Sequence, residues 1–153
     1  MTRRQALIGL GAVCLAGAAI YVGGGRNAFY SFLAEGTDAR QLTAPEAYEA
    51  ARSGEILLVD IRRPDEWAAT GSPEGGVRLD LRREDFIEEL DKLAKGRRDA
   101  PIALICARGV RSARLTNRLT EAGFTAIIDV PEGMLGSGAG PGWIKRNLPL
   151  DRS

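Results

Sequence analysis

The residues best suited to chemistry lie in one short run, in which two arginines follow a cysteine. Cys106 ends an apolar stretch, and Arg108 and Arg111 come two and five positions later. The thiolate is the nucleophilic form of cysteine, and neighbouring positive charges favour it. Gly109 lets the chain turn between the two arginines. The spacing predicts an exposed, oxidation-prone thiol in a tight loop, and the alternative is an inert cysteine buried at a strand end.

Histidine is absent from the 153 residues. Its absence excludes Ser-His-Asp and Cys-His catalytic pairs and every histidine-based metal site, so charges and dipoles alone must activate the thiol. The other cysteine, Cys14, lies in an N-terminal apolar segment, which leaves Cys106 without a disulfide partner inside the folded part. We expect neither a metal nor a cofactor. The 21 Lys and Arg against 20 Asp and Glu leave no basic surface, so we expect no nucleic-acid partner.

The elements around the cysteine can be predicted from hydrophobic pattern. Residues 101–105 form an apolar run that predicts a buried strand, and Ser112 begins a stretch of helix-forming residues. Cys106 therefore precedes a helix N-terminus, where free N–H groups and a partial positive charge attract anions. Residues 56–61 predict a second buried strand, and Asp60 lies near its end. Because reactive sites lie at the carboxyl ends of parallel strands, we expect Asp60 and Cys106 at one edge of a sheet.

Strands and helices alternate through the rest of the domain. Thr43 and Glu46 form a capping-box pattern that predicts a helix over residues 44–53. The other predicted elements are a helix from Pro64 to Gly71, a strand at 77–81, a helix at 84–95, a helix from Ser112 to Gly123 and a strand at 124–130. This alternation with short connections predicts an α/β domain with a central parallel sheet and helices on both faces.

Two segments resemble the active-site motifs of the rhodanese (sulfurtransferase) family. Residues 106–112 are similar to its Cys-x-x-Gly-x-Arg loop, and residues 60–67 are similar to its Asp-x-Arg-x-x-x-Glu-aromatic segment. Residues 131–136 and 142–144 resemble the family's terminal Gly-Gly-x-x-x-Trp region. One departure is Ser72, which stands where the family usually has a histidine.

The resemblance implies a three-layer rhodanese-like domain over residues 41–150. It also implies a sulfurtransferase that moves a sulfane sulfur from a small anionic, thiosulfate-like donor to a thiol or cyanide acceptor, through a persulfide on Cys106. Cys106 and Arg111 would be catalytic, and Asp60 and Arg62 would be supporting residues or simply a structural ion pair. The residues implied in binding are Ala107, Arg108, Gly109, Val110 and Ser112. The rival interpretation is a non-catalytic rhodanese-like module that binds a partner protein or carries sulfur near a membrane.

Tyrosine phosphatases and their relatives resemble the cysteine loop but place five residues between cysteine and arginine. Here four residues separate Cys106 from Arg111, and Ser112 occupies the position that would have to be arginine. In that family comparison the shorter loop suits a transferable sulfur and the longer loop a phosphate, so phosphatase chemistry is the less favoured alternative.

The N-terminus has the layout of an export signal. Arg3 and Arg4 precede an uncharged, mostly apolar run at residues 6–24, and the arginine pair resembles the twin-arginine signals of bacteria. This run is close to the length that spans a bilayer, so residues 1–24 are predicted to be an export signal or a membrane anchor, and residues 25–40 a linker. An ordinary buried helix is the alternative. With the arginines held inside, the domain would lie in the bacterial cell envelope, periplasmic or tethered to the membrane outside the cytoplasm.

Overall fold

The computed structural model of the chain describes residues 36–153. The predicted export signal or anchor, residues 1–24, and most of the predicted linker lie outside the described residues. The linker was predicted to reach Arg40, but Arg40 already belongs to the first strand and is in parallel register with Ile128. Within residues 36–153, no helix has both the length and the apolar character needed to cross a membrane.

Strands and helices alternate along the described chain, as predicted. In chain order they are β1 (Arg40–Gln41), α1 (Ala44–Arg52), β2 (Leu57–Asp60), α2 (Pro64–Thr70), β3 (Ser72–Pro73), β4 (Val77–Arg78), α3 (Phe86–Leu93), β5 (Ile102–Ile105), α4 (Val110–Glu121), β6 (Ile127–Asp129) and β7 (Leu150–Asp151). Five of these strands form a parallel sheet in the order β1-β6-β5-β2-β4. β5 lies in the middle of this sheet and is buried along its length, as its apolar residues predict.

Helices cover both faces of this sheet. Successive side chains of a strand point to opposite faces. On β5, Ile102 and Leu104 therefore join a core cluster with α3 and α4, whereas Ala103 and Ile105 join a second cluster with α1 and Trp143. These two clusters confirm the predicted central parallel sheet with helices on both faces.

The first helix begins where the capping box predicts. The Thr43 hydroxyl accepts the Glu46 backbone N–H at 3.4 Å, and the Glu46 carboxylate accepts the Thr43 backbone N–H at 2.8 Å. The two side chains thus satisfy N–H groups that a helix start would otherwise leave without partners.

Several element boundaries differ from the prediction. The strands predicted at 77–81 and 124–130 shrink to β4 and β6, and β4 is short because it pairs with β2 at only two positions. The helix predicted at 84–95 starts at Phe86, since residues 84 and 85 remain in a turn. The helix predicted from Ser112 starts at Val110, because Gly109, with φ at +82°, completes the turn before it.

The segment around Ser72, where the sequence departs from the family pattern, pairs with the C-terminal strand. Strands β3 and β7 form a small antiparallel sheet that pairs Ser72 with Asp151. The Ser72 hydroxyl also accepts a hydrogen bond from Arg78 Nε at 2.9 Å. Gly71 has φ at +80°, and a Cβ there would lie 2.8 Å from the Asp151 carbonyl oxygen, so this junction requires glycine.

Candidate active site

Cys106 directly follows β5, and its side chain is enclosed by its own loop. Its Sγ accepts the Gly109 backbone N–H at 3.2 Å and lies 3.6 Å from the Ser112 hydroxyl. The predicted order of strand, cysteine loop and helix is confirmed, although the helix starts at Val110 and not at Ser112. The predicted exposure of the thiol is wrong, because Cys106 is only 1% exposed. A reactant must therefore reach the sulfur through a narrow approach.

The segment that follows β6 closes over the cysteine loop. A Cβ on Gly109 would collide with the Pro131 carbonyl oxygen, and a Cβ on Gly133 would lie 2.6 Å from the Ala107 carbonyl carbon. Two backbone hydrogen bonds join segment and loop at 2.9 Å each, from Met134 N–H to the Cys106 carbonyl and from Leu135 N–H to the Ala107 carbonyl. The glycines at 109 and 133 thus allow two backbones to approach each other closely.

Arg111 is committed to a carboxylate on another helix. It lies in the first turn of α4, and its Nη1 and Nη2 donate to the two carboxylate oxygens of Glu66 on α2 at 2.8 and 2.7 Å. The hydrogen bond with Glu66 is the main reason that the pKa of Arg111 is raised; burial opposes this shift, and the charges of Glu66 and Asp60 add to it. Burial tends to raise the pKa of Glu66, but its hydrogen bonds to Arg111 and to the Arg63 N–H leave that pKa below its usual value.

Arg111 therefore lies in the helix, although the helix was predicted to begin only at Ser112. It is helical because Gly109 has already completed the turn, and Glu66 fixes its guanidinium. Sequence reasoning quoted Glu66 as part of a motif but did not predict this pairing. Nothing in the spacing of either motif indicates it, because the pairing joins two helices across 45 positions of the chain.

Arg108 points along the closing segment. Its Nη1 donates to the Gly136 carbonyl at 3.1 Å, and the residue is partly buried. Ala107 and Val110 are partly buried as well, and Gly109 and Ser112 are buried. The structure therefore brings all seven predicted loop residues together, with Arg108 directed toward the rim and Ser112 directed inward.

Asp60 and Arg62 form a buried ion pair behind α2. Arg62 Nη2 lies 2.7 Å from Asp60 Oδ2, and the two side chains are 1% and 0% exposed. Arg62 also donates to the Thr70 hydroxyl and to the Gly71 carbonyl at the end of α2. The pair thus fixes the helix that carries Glu66, and it supports the site from a distance.

The structure adds a residue that sequence reasoning missed. Asp129 ends β6 and is 1% exposed, and burial raises its pKa to about 6 although hydrogen bonds from Ser112 and the Val130 N–H act to lower it. Among the described residues its Oδ1 has no hydrogen-bond partner. The sequence contains a signal for this residue, because Asp129 interrupts an apolar run. An aspartate in a buried strand usually has a specific partner or role.

Within residues 36–153, no group of three or more cysteine or carboxylate side chains is arranged to hold a metal ion. The chemistry that the site can supply is that of one enclosed thiol. An N–H group and a helix N-terminus favour its anion, and a bidentate arginine and carboxylate pair braces its loop.

Comparison with known proteins agrees with this geometry. A model of the rhodanese-like domain matches residues 43–136. An uncharacterized protein of Rickettsia conorii is 26% identical over 121 residues, covering 72% of this chain and 95% of that protein. The uncharacterized protein YibN of Escherichia coli is 29% identical over 111 residues, covering 72% of this chain and 71% of the relative.

Solved structures with this fold include proteins named for sulfur transfer. The polysulfide-sulfur transferase homodimer of Wolinella succinogenes is 28% identical with a TM-score of 0.56, covering 74% of this chain and 79% of the other. The protein Rv0390 of M. tuberculosis is 26% identical with a TM-score of 0.58, covering 76% of this chain and all of the other.

Proposed function

This chain belongs to the rhodanese-like domain family, and from that premise we propose that it is a sulfurtransferase whose nucleophile is Cys106. The observation that carries the proposal is the 3.2 Å hydrogen bond from the Gly109 N–H to Cys106 Sγ at the start of α4. A backbone N–H and a helix N-terminus both stabilise an anion on that sulfur, and they need no histidine base.

The reaction runs in two steps. The Cys106 thiolate attacks the outer sulfur of a thiosulfate-like donor, so that a new S–S bond forms, the donor S–S bond breaks and sulfite leaves with the electron pair. The outer sulfur of the persulfide then carries the negative charge. Cyanide or an acceptor thiolate attacks this sulfur, the persulfide S–S bond breaks, and the Cys106 thiolate is restored.

The enclosure of Cys106 supports a slender donor. With only 1% of the residue exposed, an extended donor that presents a single terminal sulfur, such as thiosulfate or a polysulfide chain, suits the site better than a bulky one. A persulfide extends the side chain by about 2.0 Å, the length of an S–S bond. The transferable sulfur is therefore expected to lie nearer the surface than Sγ, within reach of the acceptor.

Thiocyanate formation by the full chain tests the proposal. With thiosulfate or polysulfide and cyanide, the wild-type protein should produce thiocyanate, and incubation with the donor alone should add the mass of one sulfur atom. Cys106→Ser should abolish both, because a hydroxyl lacks the nucleophilicity of a thiolate at neutral pH. Absence of product and of adduct with either donor would favour the non-catalytic binding module, and an adduct on Cys106→Ser would place the site elsewhere.

We also propose that the domain works outside the cytoplasm, exported or tethered by residues 6–24. The support is the Arg3-Arg4 pair followed by an uncharged apolar run, which lies outside the described residues.

A further inference from the structure

We propose that Glu132 is a positioning residue that holds the closing segment, residues 131–142, against the cysteine loop and thereby limits the size of the molecules that reach Cys106. This inference rests on the nucleophilic role proposed above for Cys106. It concerns a buried carboxylate that takes no part in the sulfur-transfer steps themselves.

Both carboxylate oxygens of Glu132 accept hydrogen bonds, and the residue is 1% exposed. Its Oε1 accepts the Ala44 backbone N–H at 3.4 Å and Arg146 Nη2 at 3.0 Å. Its Oε2 accepts the Gly142 backbone N–H at 3.0 Å and Arg146 Nε at 2.8 Å. A bidentate arginine and two N–H groups are the partners that a buried carboxylate needs. One side chain thus connects the closing segment to the start of α1 and to Arg146.

The closing segment folds back over this carboxylate. A Cβ on Gly140 would lie 2.5 Å from Glu132 Cδ, so the backbone packs directly on the side chain. The Ser137 N–H donates to the Gly140 carbonyl at 2.9 Å, and the Ser137 hydroxyl donates to the Pro131 carbonyl at 2.7 Å. These contacts make the segment one compact loop with Glu132 inside it.

The same segment is bonded to the backbone of the nucleophile. Met134 and Leu135, two and three residues after Glu132, donate their N–H groups to the carbonyls of Cys106 and Ala107 at 2.9 Å each. Because Cys106 is only 1% exposed, a small shift of the segment decides what can reach its sulfur. Glu132 therefore acts on access to Cys106 through the backbone that follows it.

Arg146 allows this contact to be weakened from the surface. Its side chain is 33% exposed, whereas that of Glu132 is 1% exposed. Without the guanidinium, Glu132 would keep its two N–H partners but lose its cation, and a buried carboxylate without a cation is drawn toward water. Substitutions of Arg146 therefore loosen the closing segment without changing any residue in it.

Two thiol reagents of the same chemistry and different size test the proposal without any sulfur donor. The full chain reacts with methyl methanethiosulfonate or with benzyl methanethiosulfonate, and peptide mass spectrometry without reduction distinguishes Cys106 from Cys14. The ratio of the benzyl rate to the methyl rate is divided by the same ratio for a free cysteine peptide. In the wild-type protein this size ratio should be at least about tenfold below one, because a close-packed wall excludes the larger group.

The variants separate positioning from a general loss of stability. Glu132→Gln and Arg146→Gln should each raise the size ratio at least about fivefold, because neither keeps the bidentate ion pair. Arg146→Lys should lie between Arg146→Gln and the wild-type protein, since an ammonium keeps the charge but not the fork. Asp91→Asn is the matched control, because it breaks a similar fork with Arg98 at the other end of β5 and should leave the ratio unchanged. Wild-type protein in urea, adjusted to the stability of each variant, should also keep the wild-type ratio.

Equal size ratios in the wild-type protein and in both glutamine variants would overturn the proposal. So would an equal rise in Asp91→Asn, or a rise that urea alone reproduces in the wild-type protein. If Glu132→Gln does not fold, the two Arg146 variants decide. A chain that shows the size effect but makes no thiocyanate would refute the sulfurtransferase and leave the positioning role standing, whereas normal turnover with unchanged ratios would refute the positioning role alone.

Discussion

Replacing Asp129 by asparagine should remove a pH-dependent loss of stability. The pKa of Asp129 rises from 3.8 in its ordinary setting to about 6 in the folded protein, chiefly through burial. Between these values the folded protein keeps a proton that the unfolded chain has released. The stability contributed by the neutral acid is therefore complete below pH 4 and is lost as the pH rises through 6. Since each pKa unit corresponds to about 1.4 kcal/mol, the contribution of Asp129 to the unfolding free energy should fall by about 2 kcal/mol between pH 4 and pH 7.

Urea unfolding at pH 4, 5, 6 and 7, followed by tryptophan fluorescence, measures this loss directly. Asparagine cannot ionise, so the stability of Asp129→Asn relative to the wild-type protein should grow by about 2 kcal/mol over that range, or about 1 M in the urea midpoint. Losing the hydrogen bond to Ser112 should change the unfolding free energy by the same amount at every pH. The exposed Asp99→Asn variant should follow the wild-type protein. A difference between Asp129→Asn and wild type that stays constant from pH 4 to pH 7 would refute the reasoning.

Three further outcomes are expected. In a double-mutant cycle of Glu66→Gln and Arg111→Ala, thiocyanate turnover should fall roughly tenfold in each single variant, with a coupling of about 1 kcal/mol in kcat/KM; additive effects would show that the pair does not act as a unit. Gly109→Ala should cost at least about 3 kcal/mol of unfolding free energy, and Gly96→Ala only about 1 kcal/mol, because both have positive φ but only Gly109 faces another backbone. A C-terminal reporter that functions only outside the cytoplasm should be active on the full chain, and lysines at residues 3–4 should stop export only if the twin-arginine route is used.

The sequence was most informative where hydrophobic pattern or local chemistry decides structure. The apolar runs predicted the buried strands β2 and β5, and the pair Thr43 and Glu46 predicted the start of α1. The length of β4 and β6 was not predictable from pattern, because it depends on how many residues the neighbouring strand offers for pairing. The start of α4 was predicted two residues late, because Gly109 with its positive φ already ends the loop and Val110 begins the helix.

The sequence predicted which residues form the site better than it predicted their contacts and burial. Loop residues from Cys106 to Ser112 are adjacent in sequence, so the motif alone brings them together. Burial of the thiol depends on the Pro131 to Gly136 segment, which is close only in space, and so the thiol was wrongly predicted to be exposed. Asp129 was missed for the same reason, since only the parallel register places it beside Leu104, two residues before Cys106.

The commitment of Arg111 to Glu66 bears on which anion the loop can hold. Each of the guanidinium nitrogens Nη1 and Nη2 already donates to a Glu66 oxygen, so the strongest cation near Cys106 is largely neutralised. A phosphoryl group carries up to two charges and three acceptor oxygens, and it is bound well by free arginine forks. A persulfide carries one charge, which the Gly109 N–H and the start of α4 are suited to stabilise. The paired arginine therefore supports sulfur transfer over phosphatase chemistry, and it does so independently of the length of the loop.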